Sequence, residues 1–446
     1  MAAISADQCR LNDPALSQAC PVANESSLLL DSDVDKIVER KLRTTNFRVS
    51  QWRLEQLEKV DGFLGQYHRL YVTVKTGDRT ERFRFFAKAL PLSGSHLCSY
   101  VVESNALNKE IAIYSELIPR LGPGTCSKWS SDFYLGKSNA ILVLEDAKEN
   151  GYETVDRYLT YDEDHCVWAV RTFSVLHSRS LILDEKLRRS TGQTMLDVYG
   201  EMLSEVGLNT SNPYVSKFLQ ASCIGAESII DLVEGLTSVE RAALKQWANT
   251  WISRLPQMIT RSKKFRNLIS HGDVWANNIM FKEDSNGKVV GCYLVDMQYV
   301  RFSPPAIDFM MVSYLTTDYA TRKQCYARLL DVYYDTMKKE LASEGLDVER
   351  CLPRAEFLQS CDELRATVMA FALAYLPIML ISNDTLEKYS VKSSEGSNDV
   401  LHGDKRVEVV MLQWQITGQY KQRLTDLIIE IRDRLAKREL GDTAKH

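Results

Sequence analysis

Asp273 and Asn278 stand five residues apart in a short polar loop, where residues 271–281 read His-Gly-Asp-Val-Trp-Ala-Asn-Asn-Ile-Met-Phe. Past the turn-forming residues 283–287, an apolar run over 289–295 reads as a strand and ends in Asp296. These types in this order suit phosphoryl transfer. Asp273 orients and deprotonates an attacking hydroxyl, while the amide oxygen of Asn278 and the carboxylate of Asp296 hold Mg²⁺ against nucleotide phosphates. The sequence Glu-Asp-Ser-Asn-Gly at 283–287 favours a hairpin, which brings the two metal-binding ends together. A second His-Gly-Asp at 402–404 serves as an internal control: the residue five past Asp404 is Val409, and no strand ending in an acid follows. It is read as a loop.

The elements that must position this chemistry are legible upstream. Residues 53–90 alternate like a meander of antiparallel strands with turns at Gly62-Phe63-Leu64-Gly65 and Thr76-Gly77-Asp78. The first turn places Gly62 and Gly65 where backbone N–H groups can approach phosphate oxygens, although a plain hairpin turn explains two glycines as well, and GxGxxG is absent. In the third strand Arg84, Phe86 and Lys88 share one face and Phe83, Phe85, Ala87 and Ala89 the other, so Lys88 can point into a cleft while its neighbours pack. Glu110 lies on a helix whose apolar face carries Ile111, Tyr114, Leu117 and Ile118, and from there it can hold Lys88 extended toward the α and β phosphates. The buried-strand run 139–145 is read as a hinge, with backbone groups around Glu145 and Asp146 meeting the adenine edge. A central strand without a ligand is the alternative.

Elsewhere the sequence predicts a flexible tail over 1–32, an amphipathic helix over 33–42, and helices over 154–159, 164–178, 238–255, 322–341 and 354–381. Trp247 and Trp251, four apart, read as core more than as a ligand box. Residues 387–404 read as a mobile loop that covers the substrate cleft, and 407–440 as one long amphipathic helix.

With 446 residues, 45% hydrophobic and 26% charged, the chain can bury a core in each of two lobes. A net charge of −4 offers no basic footprint for nucleic acid, and the longest apolar stretch, 366–382, is short for a membrane span and contains Pro377. The expected partner is therefore a small molecule, with no nucleic acid and no membrane insertion; oligomeric state is left open. Ten cysteines without a Cys-x-x-Cys pair, and no secretory signal at the amino terminus, point to reduced thiols in a cytoplasmic protein.

Together, the loop at 271–281 and Asp296-Met297-Gln298 resemble the aminoglycoside and choline kinase branch of the kinase-like fold, and within it the ecdysteroid kinase-like family, with its "HGDxWxxNxMF" and "DxQ". Gly272 and Gln298 differ from the "HRD" and "DFG" of protein kinases. The family's "FxKxLP" and "ExxxY" fit Lys88 and Glu110, and its "LHA" helix fits His177 as a packing residue. Phe86 departs from the small residue that roofs adenine in protein kinases. By resemblance, Asp308 is the buried acid that fixes the catalytic loop, and His271 braces it. The resemblance implies an α+β, two-lobed protein kinase-like fold: a tail at 1–32, a small antiparallel-sheet N-lobe at 33–145 and a larger, mainly helical C-lobe at 146–446. It also implies an enzyme using ATP and Mg²⁺ to phosphorylate a hydroxyl of a small-molecule alcohol, with an ecdysteroid, another steroid or a xenobiotic alcohol as acceptor. The alternatives are a choline-like cationic substrate and a catalytically inactive nucleotide-binding or interaction module.

Overall fold

The computed structural model describes residues 28–57, 65–91, 96–125, 128–389, 394–403 and 405–443. The fold is α+β with two lobes. Five strands, β1 (Arg48–Gln56), β2 (Gln66–Thr76), β3 (Arg79–Ala89), β4 (Phe133–Lys137) and β5 (Ile141–Glu145), form the smaller lobe's antiparallel sheet in the order β1-β2-β3-β5-β4. Helix α1 (Asp31–Leu42) covers one face. Its Val34, Ile37 and Val38 pack with Leu70, Val72, Val74, Phe85, Ala87, Ile141 and Val143, and each such fully buried side chain contributes about 1.5–3 kcal/mol. Leu28 and Leu29 belong to this core too, so the packed chain begins before residue 33. The lobe's other face carries Lys88, opposite Leu142 in register, and packs on α2 (His96–Glu103) and α3 (Ala106–Ala112), which continues into a π-turn at Ile113–Leu117.

The chain then enters a core of long helices. Residues 154–159 do not form the expected helix. Tyr152–Thr154 is a short strand, β6, held by the Tyr152 ring stacked 4.0 Å from that of Tyr293, and the Asp156 carboxylate then captures the Tyr158 N–H at 2.9 Å, which competes with helical bonding. Helix α4 (Glu163–Thr191) starts where Asp162 accepts from the His165 N–H and stops at Gly192. It lies along α8 (Tyr319–Ala342), while α9 (Arg354–Met379) packs on α5 (Pro213–Leu232) and on the wholly buried α7 (Ala306–Thr316); α6 (Ser238–Ser253) flanks them. Trp247 and Trp251 stack on α6, half-buried, and do not line the cleft.

Two expectations near the carboxyl end fail for tertiary reasons. Within 387–404 lies a helix, α10 (Ser394–Leu401), despite its polar composition, because Val400 is buried against Ile378, Ile381, Leu386 and Val409, and the Arg406 guanidinium caps the Val400 and Leu401 carbonyls at 2.8 Å each. The helix expected over 407–440 is two, α11 (Lys405–Ile416) and α12 (Gly418–Thr443), parted at Thr417 beside a poor helix former, Gly418. Among the described residues no helix is long and apolar enough to cross a membrane. Among the described residues six cysteines are free, but Cys98 is disulfide-bonded, against the expectation of thiols reduced throughout.

Candidate active site

Two short strands, β7 (Leu268–Ser270) and β10 (Arg301–Ser303), pair with each other, and between them runs the hairpin of β8 (Ile279–Glu283) and β9 (Val289–Leu294). Register decides the geometry. Ile279 lies opposite Leu294, and the Val295 N–H donates to the Asn278 carbonyl at 3.1 Å, so Asn278 and Asp296 meet although they are far apart in the chain. Asp296 adopts a left-handed backbone (φ 64°), a conformation aspartate tolerates better than most residues. Gly272 also has positive φ, and a Cβ there would fall 2.3 Å from the Tyr299 carbonyl oxygen and 3.1 Å from Arg301 Cζ. The two loops are packed backbone to backbone, which only glycine permits.

Asp308, in the first turn of α7 and fully buried, accepts from the His271 N–H at 2.6 Å and more weakly from the Gly272 N–H at 3.4 Å. Burial works against its charge, but the bond from His177 and the electrostatic influence of the His177, His271 and Arg301 side chains outweigh it and hold the carboxyl below its ordinary pKa. The His271 ring reaches the Val295 carbonyl (2.9 Å) and the Asp273 N–H (3.3 Å). His271 thus ties the 271–278 loop to the strand that leads into Asp296. Asn278 Nδ2 donates to the Asp273 carbonyl (2.9 Å) and to Asp273 Oδ2 (2.8 Å), which turns the amide oxygen away from Asp273; Asp273 Oδ1 accepts from none of the described residues. Burial, then the charge of Asp296, pushes the Asp273 carboxyl up to about 7.

Lys88, 3% exposed, bonds Glu110 Oε2 at 2.7 Å, Asp296 Oδ1 at 2.9 Å and Gln298 Oε1 at 3.3 Å. Burial disfavours its charge, but Asp296 and Glu110 more than compensate and hold the ammonium charged well above its ordinary range. The other Glu110 oxygen accepts the Met297 N–H at 3.1 Å, fixing the metal loop to α3. Gly65 lies against Lys88, where a Cβ would meet Lys88 Cγ at 3.2 Å; Gly62 lies outside the described residues. At the hinge, Asp146 is held by Arg69 (3.2 Å) and Arg84 (2.7 Å), and Glu145 by Lys128 (2.5 Å) and Asn150 (2.6 Å). The Glu145 N–H donates to the Asp132 carbonyl (2.9 Å), so that group is not available to a base. Phe86 lines the cleft with its ring 5.9 Å from that of Tyr67, an aromatic surface where a small residue would leave space.

Lys88, Glu110, Glu145, Asp146, Asp273, Asn278, Asp296 and Gln298 line one cleft of about 860 Å³, while His271 and Asp308 do not line it. Its far end is walled by Tyr100, Tyr214, Phe218, Phe371 and Tyr375, with Leu401 and His402 closing over it. The second His-Gly-Asp therefore sends its histidine into the cleft, although it builds no catalytic loop; Asp404 lies outside the described residues. Sequence reasoning missed Arg301 and Glu205. They pair at 2.9 Å across a separation of 96 residues that leaves no local spacing to read, and Arg301 also donates to the Gly272 carbonyl at 3.2 Å. It also missed Lys109, whose Nζ donates to the Ser204 (2.6 Å) and Val300 (2.5 Å) carbonyls, joining the acceptor-side loop to the metal loop.

Among the described residues no three His, Cys, Asp or Glu side chains cluster as a metal cage. One carboxylate and one amide oxygen fit a Mg²⁺ that takes its remaining ligands from phosphate and water, as Mg²⁺ commonly does.

No curated protein sequence matches the chain. Among solved structures, choline kinase from Cryptosporidium parvum Iowa II is similar at 12% identity and a TM-score of 0.39, covering 90% of this chain and 98% of that one. A glucosamine kinase is similar at 11% identity and a TM-score of 0.21, covering 82% and 100%. A family model, the ecdysteroid kinase-like family, matches residues 59–345, a span that holds Lys88, Glu110, the catalytic loop, Asp296 and Asp308. The chain belongs to the ecdysteroid kinase-like family.

Proposed function

We propose that the protein transfers the γ-phosphoryl group of Mg-ATP to a hydroxyl of a small, largely apolar alcohol, an ecdysteroid or another steroid or xenobiotic alcohol. The observation that carries this reading is the continuity of the cleft: the Lys88, Asn278 and Asp296 end and the aromatic end share Asp273 as their boundary. At that boundary Oδ1 of Asp273 can take the proton of an acceptor hydroxyl while the hydroxyl oxygen attacks phosphorus and the bond to the ADP oxygen breaks. A pKa near 7 suits a base at neutral pH. Lys88, now between two carboxylates, would turn to the phosphates once Asp296 has a cation to hold. When bound, Mg²⁺ supplies charge neutralisation to the phosphate oxygens. Family membership supports a kinase-type activity, and an apolar wall with few polar groups supports an apolar acceptor. Free thiols at six cysteines support a cytosolic site of action; the Cys98 disulfide weighs against it.

A choline-like cation is the second reading, since aromatic rings and a carboxylate, Glu205, converge at the acceptor end. Glu205 is spent, however: Arg301 holds one oxygen at 2.9 Å and the Leu208 N–H the other at 2.8 Å. A net-neutral wall favours a neutral acceptor. The test is mass-spectrometric detection of phosphate added to steroid alcohols, run beside choline, an aminoglycoside and a serine peptide. Preferential phosphorylation of choline or the peptide over every steroid and xenobiotic alcohol would overturn the acceptor.

A further inference from the structure

At the acceptor end, Tyr100, Tyr299 and Tyr375 differ in where their hydroxyl protons go. Tyr100 donates to the Gly207 carbonyl at 3.0 Å, and its oxygen lies 3.2 Å from that of Tyr299. Since Tyr100 has given its proton to Gly207, Tyr299 gives its own to Tyr100. Both donors are used within the protein. Tyr375 differs: among the described residues its hydroxyl has no hydrogen-bond partner, although the side chain is only partly exposed and lines the cleft.

Its ring is fixed. It stacks on Phe371, one turn earlier on α9, with centroids 4.1 Å apart and planes 9° from parallel, and packs against Phe218 of α5 at 5.0 Å. A held ring fixes where its hydroxyl points at little further entropic cost. Burial, reinforced by the nearby Tyr100, Asp273 and Glu205 side chains, keeps the phenol protonated, so this group is a donor throughout the physiological range. An unspent donor in an otherwise apolar wall is costly to leave dry and is satisfied when a ligand supplies an acceptor atom.

We propose that Tyr375 positions the acceptor by donating a hydrogen bond to a second oxygen of that molecule while the reacting hydroxyl lies at Asp273. The substrate class is therefore an apolar alcohol carrying at least two oxygens, a diol or hydroxyketone, and a mono-alcohol of the same skeleton is the poorer substrate. This rests on the phosphotransferase reading above and narrows its acceptor. Tyr375 is a specificity-determining residue, distinct from the base and from the metal ligands.

The experiment compares the intact protein with Tyr375→Phe, which keeps the stacked ring and removes one oxygen. Each is assayed by mass spectrometry on a steroid mono-alcohol and on steroid diols of the same skeleton, with the second hydroxyl on the adjacent carbon or farther away. Mg-ATP affinity is measured alongside by calorimetry. The expected result is a preference of the unmodified protein for at least one diol, which Tyr375→Phe reduces about tenfold in kcat/KM, the scale of one neutral hydrogen bond. Turnover of the mono-alcohol falls by less than that of the diol, and Mg-ATP affinity stays as it was. Equal effects on diol and mono-alcohol, or none on either, overturn the role of Tyr375 and leave the kinase reading standing. If the unmodified protein binds Mg-ATP yet phosphorylates none of these alcohols, the acceptor class falls, and the role of Tyr375 with it.

Discussion

At the proposed phosphate end of the cleft, Lys88 lies 2.7 Å from Glu110 and 2.9 Å from Asp296 and ion-pairs with both, and Asp146 is clamped between Arg69 and Arg84. At the acceptor end the side chains are rings with neutral hydroxyls, and the charged pair present, Glu205 with Arg301, is closed on itself. Polar groups at the first end are held before any ligand arrives, which is the arrangement that stabilises developing charge without reorganisation. Under the proposed function, selection at the second end rests on shape and on the unspent Tyr375 donor. Under the same proposal, one end serves chemistry shared by many acceptors, and the other selects a particular one.

Substitutions can test that division. The largest expected effect is at the boundary: Asp273→Asn keeps the fold and lowers kcat by roughly 10² to 10⁴, the contribution of a positioned base. Near-normal turnover of the purified variant would remove Asp273 from the mechanism. Next, Asp296→Ala should abolish Mg²⁺-dependent nucleotide binding, because Asn278 offers only a neutral oxygen; unchanged Mg-ATP affinity in calorimetry would contradict this. Lys88→Met and Glu110→Gln should each weaken ATP use, Glu110→Gln the less since Asp296 still holds the lysine. As they share one bond at 2.7 Å, the double variant should lose less than the sum of the two. Strict additivity would show that the pair does not act as a unit.

The smallest effect concerns the staple between the two ends. Burial lowers Lys109 from 10.5 to about 7, and a neutral amine still has the two protons its two carbonyl partners require. Between those values the unfolded chain binds the extra proton and the folded one does not, so the Lys109 contribution to stability rises with pH from about 7 toward 10. Lys109→Met should lack that rise in a series of thermal midpoints. Parallel pH profiles for the two proteins would refute the assignment.

How far the sequence could be read follows the same divide. Asp273, Asn278, Asp296, Lys88 and Glu110 were legible because each belongs to a short pattern in which spacing and local element type fix what the side chain can do. Alternation placed Lys88 on the cleft face of β3, and turn residues at 283–287 implied the hairpin. Where tertiary contacts override local preference the reading failed: 154–159 became a strand and an Asp156 turn, and 394–401 became a helix because a buried Val400 and the Arg406 cap hold it.

By itself, then, the sequence determined the order and chemical types of the phosphate end, since hydrogen-bonding capacity and charge belong to the residue wherever it sits. The need for glycine at 272, where a Cβ would fall 2.3 Å from the Tyr299 carbonyl oxygen, appears only in the folded chain. Tertiary structure alone decided that Glu205 neutralises Arg301, that Lys109 joins two loops, and that Tyr375 retains a free proton beside its stacked ring. Each of these is a statement about which donors and charges are already satisfied, and satisfaction depends on partners dozens to hundreds of residues away, which no local periodicity records.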